Sequence, residues 1–382
     1  MTAAETGDGR RTVGAGALDG IVVADFSRVL AGPYATMLLA DLGADVVKVE
    51  RPGAGDDTRH WGPPYAADGT ATYFAAVNRN KRSVALDLGT PEGLAEARAL
   101  ALRADVVVEN FRPGTLERMG LGYADLAREN RRTVLCSISG FGSGPGAELP
   151  GYDLLVQAMG GLMSVTGPDA GHPTKVGVAL VDVVTGLHAV YGILAALRHR
   201  DVTGEGQHVE VNLLSSLLSA LVNQGSAYVA GGVVPGILGN DHPSIVPYAV
   251  YATADRPIVL AVGNDGQFRS LVRVLGIPTT ADDPRFATNP QRVAHREEVR
   301  VVLEAALSAR GADDWYRDLT AAGVPCGPIN DVRGAFDLAT SLGLEPVVTV
   351  PGSPVPQVAN PLRLSETPPT YRTPPPAVGS PS

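Results

Sequence analysis

In the first half of the chain, short apolar runs alternate with longer amphipathic ones. Residues 21–25 (IVVAD) form a compact apolar run followed by the Gly32-Pro33 turn signal, the pattern of a strand. Residues 34–42 carry apolar positions at helical spacing and stop at Gly43, and 45–50 (DVVKVE) return to a strand. A helical run over 91–103 leads into a strand at 105–109, and a second over 123–128 leads into a strand at 133–139. Strands and helices alternating at this spacing predict an α/β fold on a mostly parallel sheet. Glu50 and Glu109 then close their strands at the carboxyl edge, where open α/β sheets hold ligands.

The second half changes character. Residues 182–200 predict a long apolar helix, followed by a turn at 203–206 and a strand at 208–211. A second apolar helix is expected over 213–229, then a Gly/Pro-rich loop from Gly231 to Gly239. Residues 248–252 and 257–262 read as a hairpin about Ala254-Asp255, and amphipathic helices are expected over 297–309 and 313–322. This predicts a second, smaller α+β domain over 225–325.

Composition narrows the class. A chain of 382 residues with 45% hydrophobic positions supports a large core in one big domain or two. Gly 45 and Pro 30 are dispersed without period, which excludes collagen-like sequence. Lys+Arg 31 against Asp+Glu 40 leaves a net charge of -9, against any general binding of nucleic acid or anionic membrane. Cys136 and Cys326 stand far apart in apolar surroundings, so neither a disulfide framework nor a cysteine metal site is expected. Residues 1–17 are small, polar and glycine-rich, with no apolar signal-peptide core, and read as a flexible tail. Residues 176–197 are the most apolar stretch, but Asp182, Thr185, His188 and Tyr191 interrupt it, so a buried helix is expected rather than a membrane span. The expectation is a cytoplasmic enzyme. Residues 368–382 are proline-rich and expected to be irregular.

Few motifs carry chemistry by themselves. Gly14-Ala15-Gly16 precedes the first strand, whereas a dinucleotide fingerprint follows the strand and opens the helix, so the triplet reads as linker. The seven histidines (60, 172, 188, 199, 208, 242, 295) show no ligand spacing, and no metal site is expected. Arg51, Arg79, Arg82, Arg112 and Arg118 fall beside strand ends or loops, where guanidinium forks suit phosphate oxygens. From composition alone a solvated face is the plainer reading. Asp182 breaks an apolar run (GVALVDVVTGLHAV) where the long helix begins. As a helix N-cap its carboxylate would accept backbone N–H groups, and the helix dipole would keep it ionised, as a carboxylate nucleophile requires. Capping and catalysis are compatible there, and the residues alone do not separate them.

A resemblance runs through several ordered blocks. These are 18–27 (LDGIVVADFS), Ala31-Gly32-Pro33, 43–53 (GADVVKVERPG), Asn80-Lys81-Arg82-Ser83 and 109–114 (ENFRPG). Gly151-Tyr152-Asp153, Gly160-Gly161, Thr166-Gly167, Asp182 with Thr185-Gly186, Gly239-Asn240 with His242-Pro243, and 323–328 (GVPCGP) continue it. In this order, over about 18–367, the chain resembles the family III CoA-transferases. The resemblance implies a Rossmann-like large domain over 18–224 and the smaller domain over 225–325. It also implies a return of 326–367 to the large domain and two chains interlocked as a homodimer. Its members move CoA from an acyl-CoA to a free carboxylic acid, with CoA esters as substrates and no metal, ATP or tightly bound cofactor.

By matching position, Asp182 is implied as the nucleophile, passing through a mixed anhydride and an aspartyl-CoA thioester. CoA contacts carry over to Leu30 and Ala31, Arg51, Leu86, Asn110, Phe111 and Arg112, and Arg118 and Met119. Arg79 and Arg82 stay open. The related α-methylacyl-CoA racemases use an aspartate matching Asp182 and the histidine of a Gly-His-Asp motif. Here that motif reads Gly151-Tyr152-Asp153, and tyrosine, with a reference pKa of about 10, is a poor base near neutral pH. Transfer is therefore preferred, with racemisation as the alternative, and His188 reads as structural. Tyr152 and Gln157 are implied near Asp182. Asn240 and His242 either line the acyl pocket or form a structural turn. The Gly231 to Gly239 loop would cover the site, but it lacks a run of four glycines, so an oxalate-type substrate is not supported.

Overall fold

The computed structural model describes residues 16–380, so most of the expected tail at 1–17, including Gly14 and Ala15, lies outside the described residues. The described chain forms two compact units. The first comprises 16–162, 176–233 and 344–380, and the second 163–175 and 234–343.

The first unit is built on six parallel strands: β1 (Val22–Asp25), β2 (Asp45–Glu50), β3 (Lys81–Ala85), β4 (Val106–Glu109), β5 (Val134–Ser139) and β6 (His208–Asn212). They lie in the order β3-β2-β1-β4-β5-β6, the doubly wound Rossmann order. Its helices of seven residues or more are α1 (Ala31–Asp41), α2 (Pro91–Arg103), α3 (Tyr123–Glu129), α4 (Asp153–Met159), α5 (Leu180–Thr203), α6 (Leu213–Ala220) and α7 (Val222–Val229). Successive strand residues point to opposite faces. Val23, Val46, Val106 and Val134 pack with Leu39 of α1 and Ala189 and Ile193 of α5. Ala24, Val47, Val107 and Leu135 pack with Leu100 of α2 and Leu126 of α3. Burial on both faces explains why the strands read as unbroken apolar runs.

β3 was not expected as a strand. Its inward positions are Lys81 and Ser83, both buried, so the alternation that marks a strand is written in polar residues. As an edge strand it is covered by the proline-rich C-terminus, which has no regular element but is bonded in place. Asn80 and Ser83 N–H groups donate to the carbonyls of Thr373 (2.9 Å) and Ser380 (3.4 Å), which shields the open edge.

Three further expectations are corrected. The helix carrying Asp182 starts two residues before it and its N-cap is Ala179, so Asp182 is the third helical residue and not the cap. The helix expected over 213–229 is split into α6 and α7, where Val222 adopts φ of 38°, a costly conformation for a β-branched residue. The second unit starts at 234 rather than 225 and continues to 343. α5 is long and apolar enough to cross a membrane by length and composition, but here Val181, Ala189, Ile193 and Ala196 belong to the core beside the sheet.

The second unit holds an antiparallel sheet of β7 (Tyr248–Tyr251), β8 (Ile258–Ala261) and β9 (Cys326–Pro328). Pairing of β9 with β8 draws 326–328 into this unit, so the segment rejoining the first unit is 344–380 rather than 326–367. Its helices α8 (Asp265–Val274), α9 (Arg296–Leu307) and α10 (Ala312–Ala321) bury Phe268, Leu303 and Trp315 in one core.

Candidate active site

Strand order reverses between β1 and β4, and the loops leaving these two strands diverge there, as expected for a ligand crevice. A cavity of about 410 Å³ opens at this point, with Leu30, Ala31, Asn110, Phe111, Arg112 and Asp182 on its wall. The two loops are tied together by Asn110, whose Oδ1 accepts the Arg28 N–H (2.9 Å) and whose Nδ2 donates to the Arg28 carbonyl (2.7 Å). The loop after β4 is held from beneath by Glu109, whose carboxyl accepts the Phe111 N–H at 2.8 Å. Burial pushes the Glu109 pKa up to about 7.

A second cavity of about 280 Å³ is lined by Arg51, Leu86 and Met119, and it shares Arg28 and Phe111 with the first. The Asp57 carboxylate accepts from Arg28 (3.1 Å) and Arg51 (2.7 Å), holding both guanidinium groups at one place. The remaining arginines separate clearly. Arg79 is buried in a two-bond pair with Asp41 (2.9 and 2.6 Å), and Arg82 pairs with Asp45 on the surface (3.0 and 2.6 Å). Both are structural. Arg118 lines neither cavity; its guanidinium folds back along the short helix Thr115–Arg118 to donate to the Thr115 hydroxyl at 2.9 Å.

Asp182 reaches the cavity because two close approaches are made with glycine. A Cβ on Gly32 would lie 2.3 Å from the Ser27 side chain, and one on Gly186 would lie 2.8 Å from the Ala31 carbonyl oxygen. The first lets the first turn of α1 pack onto the loop that leaves β1, and the second lets α5 cross the first turn of α1 one turn beyond Asp182. The carboxyl is half-buried, and burial followed by the negative charge of Asp153 pushes its pKa up to about 7. This overturns the expectation that the helix terminus keeps it ionised. Asp153 Oδ1 accepts the N–H groups of Val181 (2.8 Å) and Asp182 (3.3 Å) in its place.

Tyr152 is the N-cap residue of α4, is 62% exposed and lines the larger cavity beside Asp182. Gln157 does not line it. That side chain is fully buried, donating to Asp153 Oδ2 (2.6 Å) and accepting the Val176 N–H (2.9 Å). Asn240 and His242 lie in the second unit, where His242 Nδ1 accepts the Ser244 N–H (3.1 Å) and its ring packs on Tyr248.

Arg28 and Tyr73 at the site carry no signal in the sequence pattern. The Tyr73 hydroxyl is pushed up to about 12 by burial and then by the charges of Asp182, Asp153 and Asp56, while its ring meets Trp61 edge-on at 5.3 Å. No spacing in the sequence joins residue 73 to residue 182.

The protein-family model described as CoA-transferase family III matches residues 18–382. The chain belongs to the family III CoA-transferases. It is 47% identical over 376 residues to the succinate–glutarate CoA-transferase of Agrobacterium fabrum, covering 95% of this chain and 93% of that protein. It is 43% identical over 326 residues to the succinyl-CoA:glutarate CoA-transferase of Mus musculus, covering 85% of this chain and 74% of that protein. The crystal structure of a CAIB/BAIF family protein from Brucella suis superposes with a TM-score of 0.85 at 42% identity, covering 96% of this chain and 97% of that one. The chain is therefore an enzyme, a CoA-transferase acting between acyl-CoA and carboxylate substrates.

Proposed function

We propose that this CoA-transferase works through the side chain of Asp182 and that its acids are short dicarboxylates. One observation carries the reading: a half-buried carboxylate stands on the wall of the 410 Å³ cavity, at the sheet's switch point and beside the loops after β1 and β4. An ionised Asp182 oxygen attacks the donor thioester carbonyl, forming a mixed anhydride as the carbon–sulfur bond breaks and CoA leaves as thiolate. The thiolate then attacks the Asp182 carbonyl carbon, releasing the donor acid and leaving CoA on Asp182 as a thioester. The acceptor carboxylate reverses both steps. A carboxylate leaves as readily as it attacks, so CoA passes between two thioesters with little net energy change.

The dicarboxylate class is supported by the names of the two relatives and by Arg28 and Arg112 on the same cavity wall, which offer guanidinium groups to a second carboxylate. Arg51 and Phe111 then fit the CoA portion. A homodimer is proposed as well, since Leu187 and Tyr191 of α5 and Tyr228 and Val229 of α7 leave large apolar surface uncovered in one chain. Sedimentation at twice the chain mass is the expected result, and a monomer at micromolar concentration would remove this proposal.

The transfer reading is tested by mass spectrometry on purified protein in heavy water, with succinyl-CoA, acetyl-CoA or a 2-methylacyl-CoA, with and without glutarate and other acids. A new CoA ester that requires both succinyl-CoA and glutarate is expected. Entry of deuterium at the α-carbon without acyl exchange would replace transfer by racemisation.

A further inference from the structure

We propose that Asp153 is the positioning residue of this reaction: by capping the helix that carries Asp182, it keeps the Asp182 carboxylate clear of backbone donors and ready to attack. The inference rests on Asp182 being the nucleophile. A helix leaves its first N–H groups without intrahelical partners, and the side-chain oxygen of an N-cap residue is the usual acceptor for them. The N-cap here is Ala179, which has no such oxygen, so without a competitor the Asp182 oxygens in the first turn would fold back onto the helix end. Asp153, at the start of α4, removes this option because its Oδ1 accepts both the Val181 and Asp182 N–H groups (2.8 and 3.3 Å).

Asp153 is itself fixed. Its Oδ2 accepts from Gln157 Nε2 (2.6 Å), and the buried Gln157 amide is anchored by the Val176 N–H (2.9 Å), just upstream of α5. Two helices and the strand of chain between them thus hold one carboxylate in place to leave another free. The fixed negative charge beside Asp182 also makes the attack more favourable. When the Asp182 oxygen bonds to the acyl carbon and the carbon–sulfur bond breaks, the charge moves from Asp182 to the departing sulfur, away from Asp153. No proton changes hands in this step. Tyr73, from the helix Thr72–Ala75, feels the Asp182 charge, and Arg28, Arg112 and Tyr152 line the same cavity. Tyr34 of α1 packs at Gly186, and His188 on α5 is engaged with the Ser216 hydroxyl at 2.9 Å.

The test compares wild type, Asp153→Asn and Asp182→Ala in transfer from succinyl-CoA to glutarate between pH 5 and 9. Wild-type kcat/KM is expected to fall below a midpoint near pH 7, where Asp182 becomes protonated. In Asp153→Asn the amide oxygen still accepts from the helix but the charge is gone. The midpoint should move down by about one pH unit or more and kcat should fall by roughly tenfold, with KM for succinyl-CoA within about twofold. An unmoved midpoint overturns the proposal, because a merely structural residue would not set it. Should Asp153→Asn not fold, Gln157→Leu, which removes the Nε2 donor that fixes Asp153, decides in its place: a comparable fall in kcat with KM held is expected, and wild-type kcat overturns the proposal. Turnover retained by Asp182→Ala would instead sink the nucleophile reading on which this one rests.

Discussion

Asp182→Ala is expected to abolish CoA transfer, with kcat reduced on the order of 10⁴-fold or more, because no second carboxylate with the same access replaces the nucleophile. The fold should not suffer. The N–H groups at the start of α5 are bonded to Asp153 rather than to Asp182, so truncation orphans no donor. Removing a half-buried carboxyl that faces a like charge should even stabilise the protein at alkaline pH. The folded pKa of Asp182, about 7, lies above the ordinary carboxylate value, so folding favours its protonated form. Wild type is therefore penalised above pH 7, and the penalty fades as pH falls from 7 toward about 4, the unfolded carboxyl value. Thermal melts at pH 8.5 and 5 check this: the variant should gain on wild type at the higher pH. A fall in melting temperature at pH 8.5 would contradict the capping geometry.

The largest effect on stability is expected at Lys81→Met. Lys81 and Asp25 are both buried; their 3.1 Å pair is supported by the Thr36 hydroxyl on Asp25 (2.6 Å), by the Ser27 hydroxyl and by the nearby Lys48. Burial alone would raise the Asp25 pKa, but the ammonium groups of Lys81 and Lys48 and the two hydroxyls outweigh it and hold it down to about 2. Removing Lys81 leaves a buried carboxylate short of its partner, at an expected cost of about 3–5 kcal/mol in urea unfolding. The Asp25→Asn, Lys81→Met double variant should recover part of the loss, because it removes the stranded charge as well. The pH dependence has a definite sign. A carboxyl with a lowered folded pKa contributes stability above its unfolded value near 4, and that contribution is lost as pH falls toward 2. Wild type should show this loss over that window, and the Asp25→Asn variant should lack it. A Lys81→Met variant within about 1 kcal/mol of wild type would contradict the account.

The apolar runs of β1, β2, β4 and β5 and the periodicity of α2 and α3 make the sheet legible in the sequence, because each strand is apolar on both faces. β3 escapes that logic: its buried positions are Lys81 and Ser83, which serve Asp25 and Glu50 rather than an apolar layer. The cavity residues on the loops after β1 and β4 were legible as a resemblance in ordered motifs, and the strand order then explains why they converge. The arrangement around Asp182 was not legible. Asp153 caps a helix that begins 27 residues later, and Tyr73 approaches from a segment more than 100 residues earlier, so neither contact leaves a local spacing. The N-cap reading of Asp182, one of the two that the residues leave open, fails for the same reason. Local rules name the residue type that caps a helix, but a tertiary neighbour had already taken the position.

A CoA carried on Asp182 as a thioester can be trapped there. The protein is incubated with succinyl-CoA without added acceptor acid, quenched with hydroxylamine, digested and examined by peptide mass spectrometry. A thioester on Asp182 exchanges its CoA for hydroxylamine, leaving a hydroxamate on that side chain. The account predicts a hydroxamate on the peptide containing Asp182, dependent on succinyl-CoA. A hydroxamate on another residue, or none in a preparation that turns over, would contradict it.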